Sequence, residues 1–577
     1  MSSVPSRRPA DRFEAHAAPA RDGARTTVIV GGVAGGMSAA TRLRRLDEQR
    51  EIIVLERSSE VSFANCGLPY HVSGVIADRD ALSLQSPERL AARFRIDARV
   101  RHEAVAIDRA AKTVTVRRLD DDTTSVIAYD ELVLSPGAAP RRPAGIATGA
   151  PVHALRTLDD LDRLMARLDR VPADGAVVVI GGGYIGVEMA DNLHRRDLGV
   201  TLVQRGTHLL ASLDEEMAAP VADHLAGLGI DVRLGRHATS IGVDHVVLDD
   251  GSRIAADLVV AAIGVTPESS LAAAAGLAIG ASGGIAVDTF HRTSDASIFA
   301  IGDAAEKRDA IDGEGRLTTL AGLANRHGRA VADTIAGDAA PSRPALGTAI
   351  VDAAGLTAAS VGWTERVARE RGRDVRVVHT HPASHAGYYP GACPLSMKLV
   401  VDAVDDRILG AQAVGTDGVD KRIDVIATAM SAGLAASALA DLELAYAPQY
   451  GSAKDPINML GYVARNLASG EDRVIQWHEL DDELAAGAVL LDVRAEAQLA
   501  EGLIPGALWV PVESLRERHA EFAGRRVVVH CRVGQGAHTA ARLLAELGHD
   551  VVNLDGGYLT WRDGQRARSL AELPLAA

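Results

Sequence analysis

Cysteine is scarce in this 577-residue chain: Cys66, Cys393 and Cys531 stand far apart, and no CxxC pair occurs. That excludes a disulfide scaffold and a cysteine-rich zinc site, and it fits a reducing compartment with individually used thiols. Missing too is any apolar run near the roughly 20 residues that span a bilayer. Positive charge is also short. With 61 Lys and Arg against 76 Asp and Glu, the net charge is −15, which argues against nucleic-acid or anionic-membrane partners. Residues 1–25 hold charges, prolines and alanines but lack the roughly 7–15-residue apolar segment of a secretory signal. They read as a disordered tail, and the protein as cytoplasmic. The remaining composition, 47% apolar and 24% charged, is ordinary for a soluble globular protein, at a length that implies several domains.

What is present begins with an internal repeat. The segment Thr27-Val-Ile-Val-Gly31-Gly-Val-Ala-Gly-Gly36 returns 150 residues later as Val177-Val-Val-Ile-Gly181-Gly-Gly-Tyr-Ile-Gly186. Each copy is a β-branched run, a glycine turn, a helix-like stretch and a second strand, Glu51–Glu56 in one case and Val200–Gln204 in the other. This is the opening of a dinucleotide-binding unit, in which glycine lets the backbone approach a pyrophosphate at a helix N-terminus. Two units imply two nucleotides.

In the first unit Gly31, Gly32 and Gly36 form the turn, with Val33 where the middle glycine usually stands. Glu56, followed by Arg57, closes the second strand, where a carboxylate can accept ribose hydroxyls. In the second unit Gly181, Gly183 and Gly186 complete the fingerprint, but Gln204 and Arg205 replace the acid that would select NADH. That pair leans toward NADPH and leaves NADH open.

Thr293-Ser-Asp-Ala-Ser-Ile-Phe-Ala300-Ile-Gly302-Asp303 resembles the second flavin motif of flavoproteins with two dinucleotide-binding domains. The resemblance implies FAD, with Gly302 and Asp303 at the ribityl chain. Ser62-Phe-Ala-Asn65-Cys66-Gly-Leu-Pro69-Tyr70 resembles the active-site segment of the coenzyme A–disulfide reductases and their oxidase and peroxidase relatives, a single-cysteine class of pyridine nucleotide–disulfide oxidoreductases. It implies that Cys66 is redox-active. The chemistry asks for a thiolate, hence a thiol pKa lowered by nearby positive potential.

Ser38, Arg42 and Arg45 share one helix face opposite Ala39, Leu43 and Leu46. The resemblance implies that these three, with Ser62, Asn65, Asn325 and Lys454, bind coenzyme A. The segments His381–Gly391, Gly418–Thr428 and Glu443–Pro448 resemble the dimerisation domain of the same family. They imply a homodimer in which Tyr388 and Tyr446 reach the partner's active site. Tyr389 is expected in core packing, Cys393 is expected to be packed, and His381 with His385 is rejected as a metal pair because Pro382 intervenes and no acidic partner follows.

Leu491-Asp-Val-Arg494, Ile504-Pro-Gly-Ala507, Val529-His-Cys531-Arg-Val-Gly534 and Asn553–Trp561 together resemble a rhodanese domain, implying sulfane sulfur on Cys531. Related fusion enzymes usually end the cysteine loop with arginine, but here it ends in Gly536. Arg532 or Arg494 is the expected compensation.

The expected fold is α/β: two Rossmann-like dinucleotide-binding domains, an α+β dimerisation domain and a C-terminal α/β rhodanese domain. Boundaries read as the tail 1–25, FAD domain 26–150 and 268–343, NAD(P) domain 151–267, dimerisation domain 344–467, linker 468–473 and rhodanese domain 474–577. The linker is expected to act as a flexible arm. The implied activity is FAD-dependent reduction by NAD(P)H of coenzyme A disulfide, coenzyme A persulfide or polysulfide, without metal, nucleic acid or membrane. Open alternatives are an NAD(P)H oxidase or peroxidase working through a Cys66 sulfenic acid, and a sulfur-carrier or sensing protein with a vestigial reductase.

Overall fold

The computed structural model describes residues 25–572, so the expected disordered tail lies, apart from Arg25, outside the described residues. The two glycine-turn repeats open two five-stranded parallel sheets. The first runs Ile298–Ala300, Glu131–Leu134, Thr26–Val30, Glu51–Leu55, Asp97–Arg99. The second runs Asp231–Leu234, Gly199–Gln204, Ala176–Ile180, Leu258–Ala261, Val152–His153. Their central strands are apolar runs buried on both faces, as parallel sheets require. Strand Ile298–Ala300 completes the first sheet after the whole second sheet has been built, which brings the Gly302–Asp303 turn back beside the Gly31 turn. Helices Ala34–Leu46 and Ala321–Ile335 pack together over that sheet.

Residues 349–415 form an antiparallel sheet in the order Ala349–Ala353, Leu356–Gly362, Ile408–Gly415, Leu395–Asp402, Val375–Thr380. Leu356–Gly362 and Val375–Thr380 are the two of these strands that flank helix Glu365–Glu370. The first is rich in Ala, Ser and Thr and owes its burial to the helices across it, not to its own hydrophobicity. Helix Val419–Ala432 covers the sheet. Helix Pro456–Ser469 starts where Asp455 accepts from Ile457 N–H with proline at the first turn, and ends at left-handed Gly470.

A third parallel sheet follows: Val474–Ile475, Val551–Leu554, Val527–His530, Val489–Asp492, Leu508–Trp509. The expected flexible arm before it is not one. Asp472, buried, accepts from His538 Nδ1 at 2.8 Å, and the final helix, Gly557–Glu572, lies on helix Glu215–Gly227 of the second parallel-sheet unit, where Arg566 pairs with Asp223 at 2.7 Å. Polar groups complete the junction. His379 of the antiparallel sheet bridges Asp555 (Nδ1, 2.7 Å) and Glu216 (Nε2, 3.1 Å), and Gln476 donates to Asp555 at 3.2 Å. Beside it Lys398, 1% exposed, contacts Asp214 at 3.0 Å, Glu216 at 2.5 Å and Glu365 at 2.8 Å. Burial opposes both cations, but the surrounding carboxylates prevail: His379 rises to about 9 and Lys398 stays well above its ordinary value. The C-terminal unit is thus docked through a buried charge network, not tethered.

Candidate active site

A cleft of about 1320 Å³ runs between the two glycine-turn units, with an annex of about 380 Å³ at one end. That exceeds the roughly 300–1,000 Å³ of a single small-molecule site and suits two large ligands end to end. The cleft wall includes Asn65, Cys66, Gly181, Gly183, Gln204, Arg205, Gly302 and Asp303; the annex adds Gly31, Glu56 and Arg57.

Gly31 (φ 101°) and Gly181 (φ 110°) need their glycine: a Cβ there would lie 2.0 Å from Ser135 O and 2.3 Å from Ala262 O. Gly36 and Gly186 let each helix press onto the turn, since a Cβ would fall within 1.9 and 1.8 Å of Gly31 O and Gly181 O. Gly183 differs: its Cβ would meet nothing in the chain. Its bareness leaves room in the cleft, which fits a nucleotide passing close to the backbone. Val33 takes the corresponding place in the first unit and lines the cleft.

The two strand-end residues do matching work. Gly32 N–H donates to Glu56 Oε2 at 2.8 Å, and Gly182 N–H donates to Gln204 Oε1 at 2.9 Å. Glu56 Oε1 also accepts from Ser58 N–H and hydroxyl at 2.8 and 2.7 Å. Both side chains therefore brace their own glycine turn as well as facing the site. Arg57 pairs with Glu268 at 2.8 Å.

Cys66 is exposed on the short turn Asn65–Gly67 that leads into helix Leu68–Val72. Neighbouring Asn65 Oδ1 lies 3.8 Å from its sulfur. The expected lowering of its pKa is reversed: partial burial pushes the thiol up, Glu188 adds to this, Arg156 opposes it and Asp303 adds again. Sequence reading missed Glu188 and Arg156, which line the same cleft. Glu188 lies on helix Tyr184–His194, one turn past the fingerprint. Burial raises its carboxyl pKa, and it accepts from Tyr70 at 3.2 Å; burial and Glu188 push Tyr70 up to about 12. Arg156 pairs with Asp303 at 2.8 Å. Nothing in the local sequence marks Arg156, and the Asp303 it pairs with reaches the site through the return of strand Ile298–Ala300. The protein scaffold by itself thus favours a protonated, exposed thiol with a cation and two carboxylates nearby.

Ser38, Arg42 and Arg45 do share a helix face. Ser38 donates to Asn325 Oδ1 at 2.5 Å, and Arg42 is held by Asp333 at 2.6 Å. Arg45 is exposed and, among the described residues, unpaired. Of the apolar stripe, Ala39 and Leu43 are buried whereas Leu46 is 38% exposed at the helix end. Ser62 adopts φ 52° and its N–H bonds Gly32 O at 2.7 Å, tying the Cys66 segment to the first glycine turn. Lys454, Tyr388 and Tyr446 are not brought to Cys66 within this chain. The two tyrosines are 77% and 48% exposed and hydrogen-bond each other at 2.8 Å; that bond raises the Tyr446 pKa. Tyr389 is not in a core: it is 43% exposed and lies edge-on to His385. Cys393 is half-buried, its thiol against Gly391 O. His381 bonds Ser396 and Thr560, away from His385, which contacts Ala386 O. Among the described residues, the carboxylates close enough to share a metal, Asp214, Glu216 and Glu365, already enclose the Lys398 ammonium.

In the C-terminal unit Cys531 is 7% exposed at the head of the loop before helix Gln535–Glu546. A Cβ on Gly536 would sit 3.5 Å from its sulfur, so this glycine lies directly against it. Neither expected substitute for the missing arginine is free. Arg494 is buried, bonded to Asp492, Gln498 O and Gly502 O, and stacked 4.5 Å from the Tyr558 ring. Arg532 is clamped by Glu501, with both contacts at 2.8 Å.

Comparison with known proteins accords with this geometry. The pyridine nucleotide-disulphide oxidoreductase family model matches residues 25–327, its dimerisation domain residues 351–455, and a rhodanese-like domain residues 476–563. Coenzyme A disulfide reductase of Staphylococcus aureus is 35% identical over 439 residues, 76% of this chain and 99% of the relative. Reduced Bacillus anthracis CoADR-RHD superposes with TM-score 0.92 at 43% identity, covering 95% of this chain and 99% of that one. The NAD-dependent persulfide reductase from A. fulgidus gives TM-score 0.87 at 34% identity, covering 93% and 100%. With a family model spanning more than half its length, and relatives matched almost end to end, this chain belongs to the pyridine nucleotide-disulphide oxidoreductases and carries their dimerisation domain and a C-terminal rhodanese-like domain.

Proposed function

We propose that this enzyme reduces coenzyme A disulfide, coenzyme A persulfide or polysulfide with NAD(P)H, using Cys66 as the single redox thiol and Cys531 as a carrier of sulfane sulfur. FAD and NAD(P)H are its cofactors; bound FAD supplies the two-electron relay between the nicotinamide and sulfur. The observation that carries the reading is one exposed cysteine on the wall of the cleft between the two glycine turns, with no second cysteine lining it.

For coenzyme A disulfide, the Cys66 sulfur attacks one sulfur of the substrate, forming a mixed disulfide and releasing one coenzyme A thiolate. The electron pair from NAD(P)H and a proton then release the second thiol. Arg156 stabilises the thiolate form, whereas Glu188 and Asp303 favour the protonated one. Substrate binding is assigned to Ser38, Arg42, Arg45, Ser62, Asn65, Asn325 and Lys454, with Arg45 and Lys454 offering cations that are unpaired among the described residues. In the proposed homodimer, Tyr388 and Tyr446 reach the partner's site and donate to the departing thiolate. Because the rhodanese-like unit is docked, sulfur leaves Cys531 on a diffusing thiol and not on a swinging domain.

Replacing Cys66 with Ser tests this. Turnover of coenzyme A disulfide should vanish while the flavin stays bound. Retained turnover overturns the mechanism, and stoichiometric oxygen or peroxide consumption without any thiol substrate favours an oxidase.

A further inference from the structure

We propose that His381 of the antiparallel sheet is a positioning residue for Cys531: by holding Thr560 it fixes the start of the last helix, from which the cysteine loop hangs. This rests on the reading of Cys531 as a carrier of sulfane sulfur, and adds that the dimerisation domain shapes its site. Residues 555–560 face two ways. Asp555 and Thr560, 3% and 2% exposed, turn to the antiparallel sheet. Asp555 accepts from His379 N–H at 3.0 Å and bonds its Nδ1 at 2.7 Å, and Thr560 Oγ1 is hydrogen-bonded to His381 Nε2 at 2.8 Å. The residues between them turn to the cysteine loop. Tyr558 N–H donates to Cys531 O at 2.8 Å, and Leu559 N–H donates to Arg532 O at 3.1 Å.

The fit is close on both sides. A Cβ on Gly556 would lie 2.8 Å from the His379 Cβ, and one on Gly557 would lie 2.5 Å from Cys531 O. Both glycines are left-handed, at φ 67° and 62°, a turn that other residues resist. A trans peptide sets its N–H opposite its C=O. Tying Cys531 O and Arg532 O to the helix start therefore fixes the direction of the Arg532 and Val533 N–H groups, the first donors after the thiol. Oriented loop N–H groups lower a thiol's pKa and hold an anionic sulfur. His381 suits the positioning role. Its Nδ1 bonds Ser396 Oγ at 3.1 Å on strand Leu395–Asp402, so the ring is held at both nitrogens. Burial keeps the imidazole neutral, and His379, Arg562 and Arg532 push its pKa the same way, to about 3. A neutral ring offers one donor and one acceptor, which matches its two hydroxyl partners.

The test uses the flavin-loaded full chain in a Cys66→Ser, Cys393→Ser background, where Cys531 is the one thiol left, and follows its alkylation by iodoacetamide against pH. In parallel the protein is loaded with polysulfide and treated with cyanide, which takes the sulfane sulfur as thiocyanate and leaves the Cys531 thiolate. His381→Ala and Thr560→Val should each slow alkylation at pH 7 about three- to tenfold and move the midpoint of its pH profile upward. His381→Gln, whose amide nitrogen can replace Nε2 toward Thr560, should restore most of the rate. Arg566→Ala removes the ion pair with Asp223, a docking contact further along the same helix, and should leave the profile as in the parent. If His381→Ala fails to fold, Thr560→Val, which keeps the side-chain volume, decides in its place. An unchanged profile in these variants, or equal slowing by Arg566→Ala, would overturn the positioning role. Slowed alkylation in His381→Ala with no thiocyanate from the parent would keep that role and sink the sulfane-sulfur reading.

Discussion

His379 offers a direct test of how the rhodanese-like unit is held. Its imidazole is buried between Asp555 of that unit and Glu216 of helix Glu215–Gly227, with Lys398 and His381 as the nearby positive or titratable neighbours. The folded protein keeps its proton up to about pH 9, against an ordinary value of 6.5, which corresponds to about 3 kcal/mol. Because the folded value is raised, this stabilisation is complete below pH 6.5 and is lost as pH climbs through about 9. His379→Gln keeps a hydrogen-bond donor but removes the charge and so removes the pH term. Calorimetry should show the C-terminal transition of the wild type falling between pH 7 and 9.5. In the variant, that transition should separate at pH 7, lower by roughly 10–20 °C. Proteolysis between Ser469 and Val474 should rise in step. Equal pH slopes for wild type and variant across this window would refute the reasoning.

Further outcomes follow from the same geometry. Lys398→Met leaves Asp214, Glu216 and Glu365 buried without their cation and should cost about 3–5 kcal/mol, read as a loss of denaturant midpoint. Glu188→Gln removes a charge that raises the Cys66 thiol and should speed its alkylation by iodoacetamide at pH 7–8, whereas Arg156→Ala should slow it; no change in either would remove the electrostatic account. Gly536→Arg adds a side chain whose Cβ makes ordinary contact with Cys531, so the protein should fold, and the new cation should raise Cys531 reactivity about tenfold, measured by sulfur transfer from thiosulfate to cyanide. Gly186→Ala should abolish nucleotide binding, because its Cβ would lie 1.8 Å from Gly181 O.

Local chemistry made the sites of contact legible from the chain alone. A glycine needed for close approach, a cysteine on a Gly-Leu-Pro turn and an amide or acid ending a strand are properties of short segments, and they recur at fixed spacing whatever surrounds them. The α/β architecture and the pair of nucleotide cradles were readable for that reason, whereas the sulfur chemistry was implied by resemblance to a family. What only the folded chain decided depends on groups distant in sequence. Arg156 and Asp303 meet because strand Ile298–Ala300 returns to the first sheet. The sign of the Cys66 shift is the sum of burial and three charges drawn from separate elements. Arg494 and Arg532 looked available, yet Asp492 and Glu501 had already claimed them. The expected flexible arm became a fixed junction because Glu216, Lys398, His379 and Asp555, scattered over more than 300 residues, neutralise one another in a place where water cannot. Electrostatic energy in a low-dielectric interior depends on three-dimensional distance, and sequence separation does not encode it.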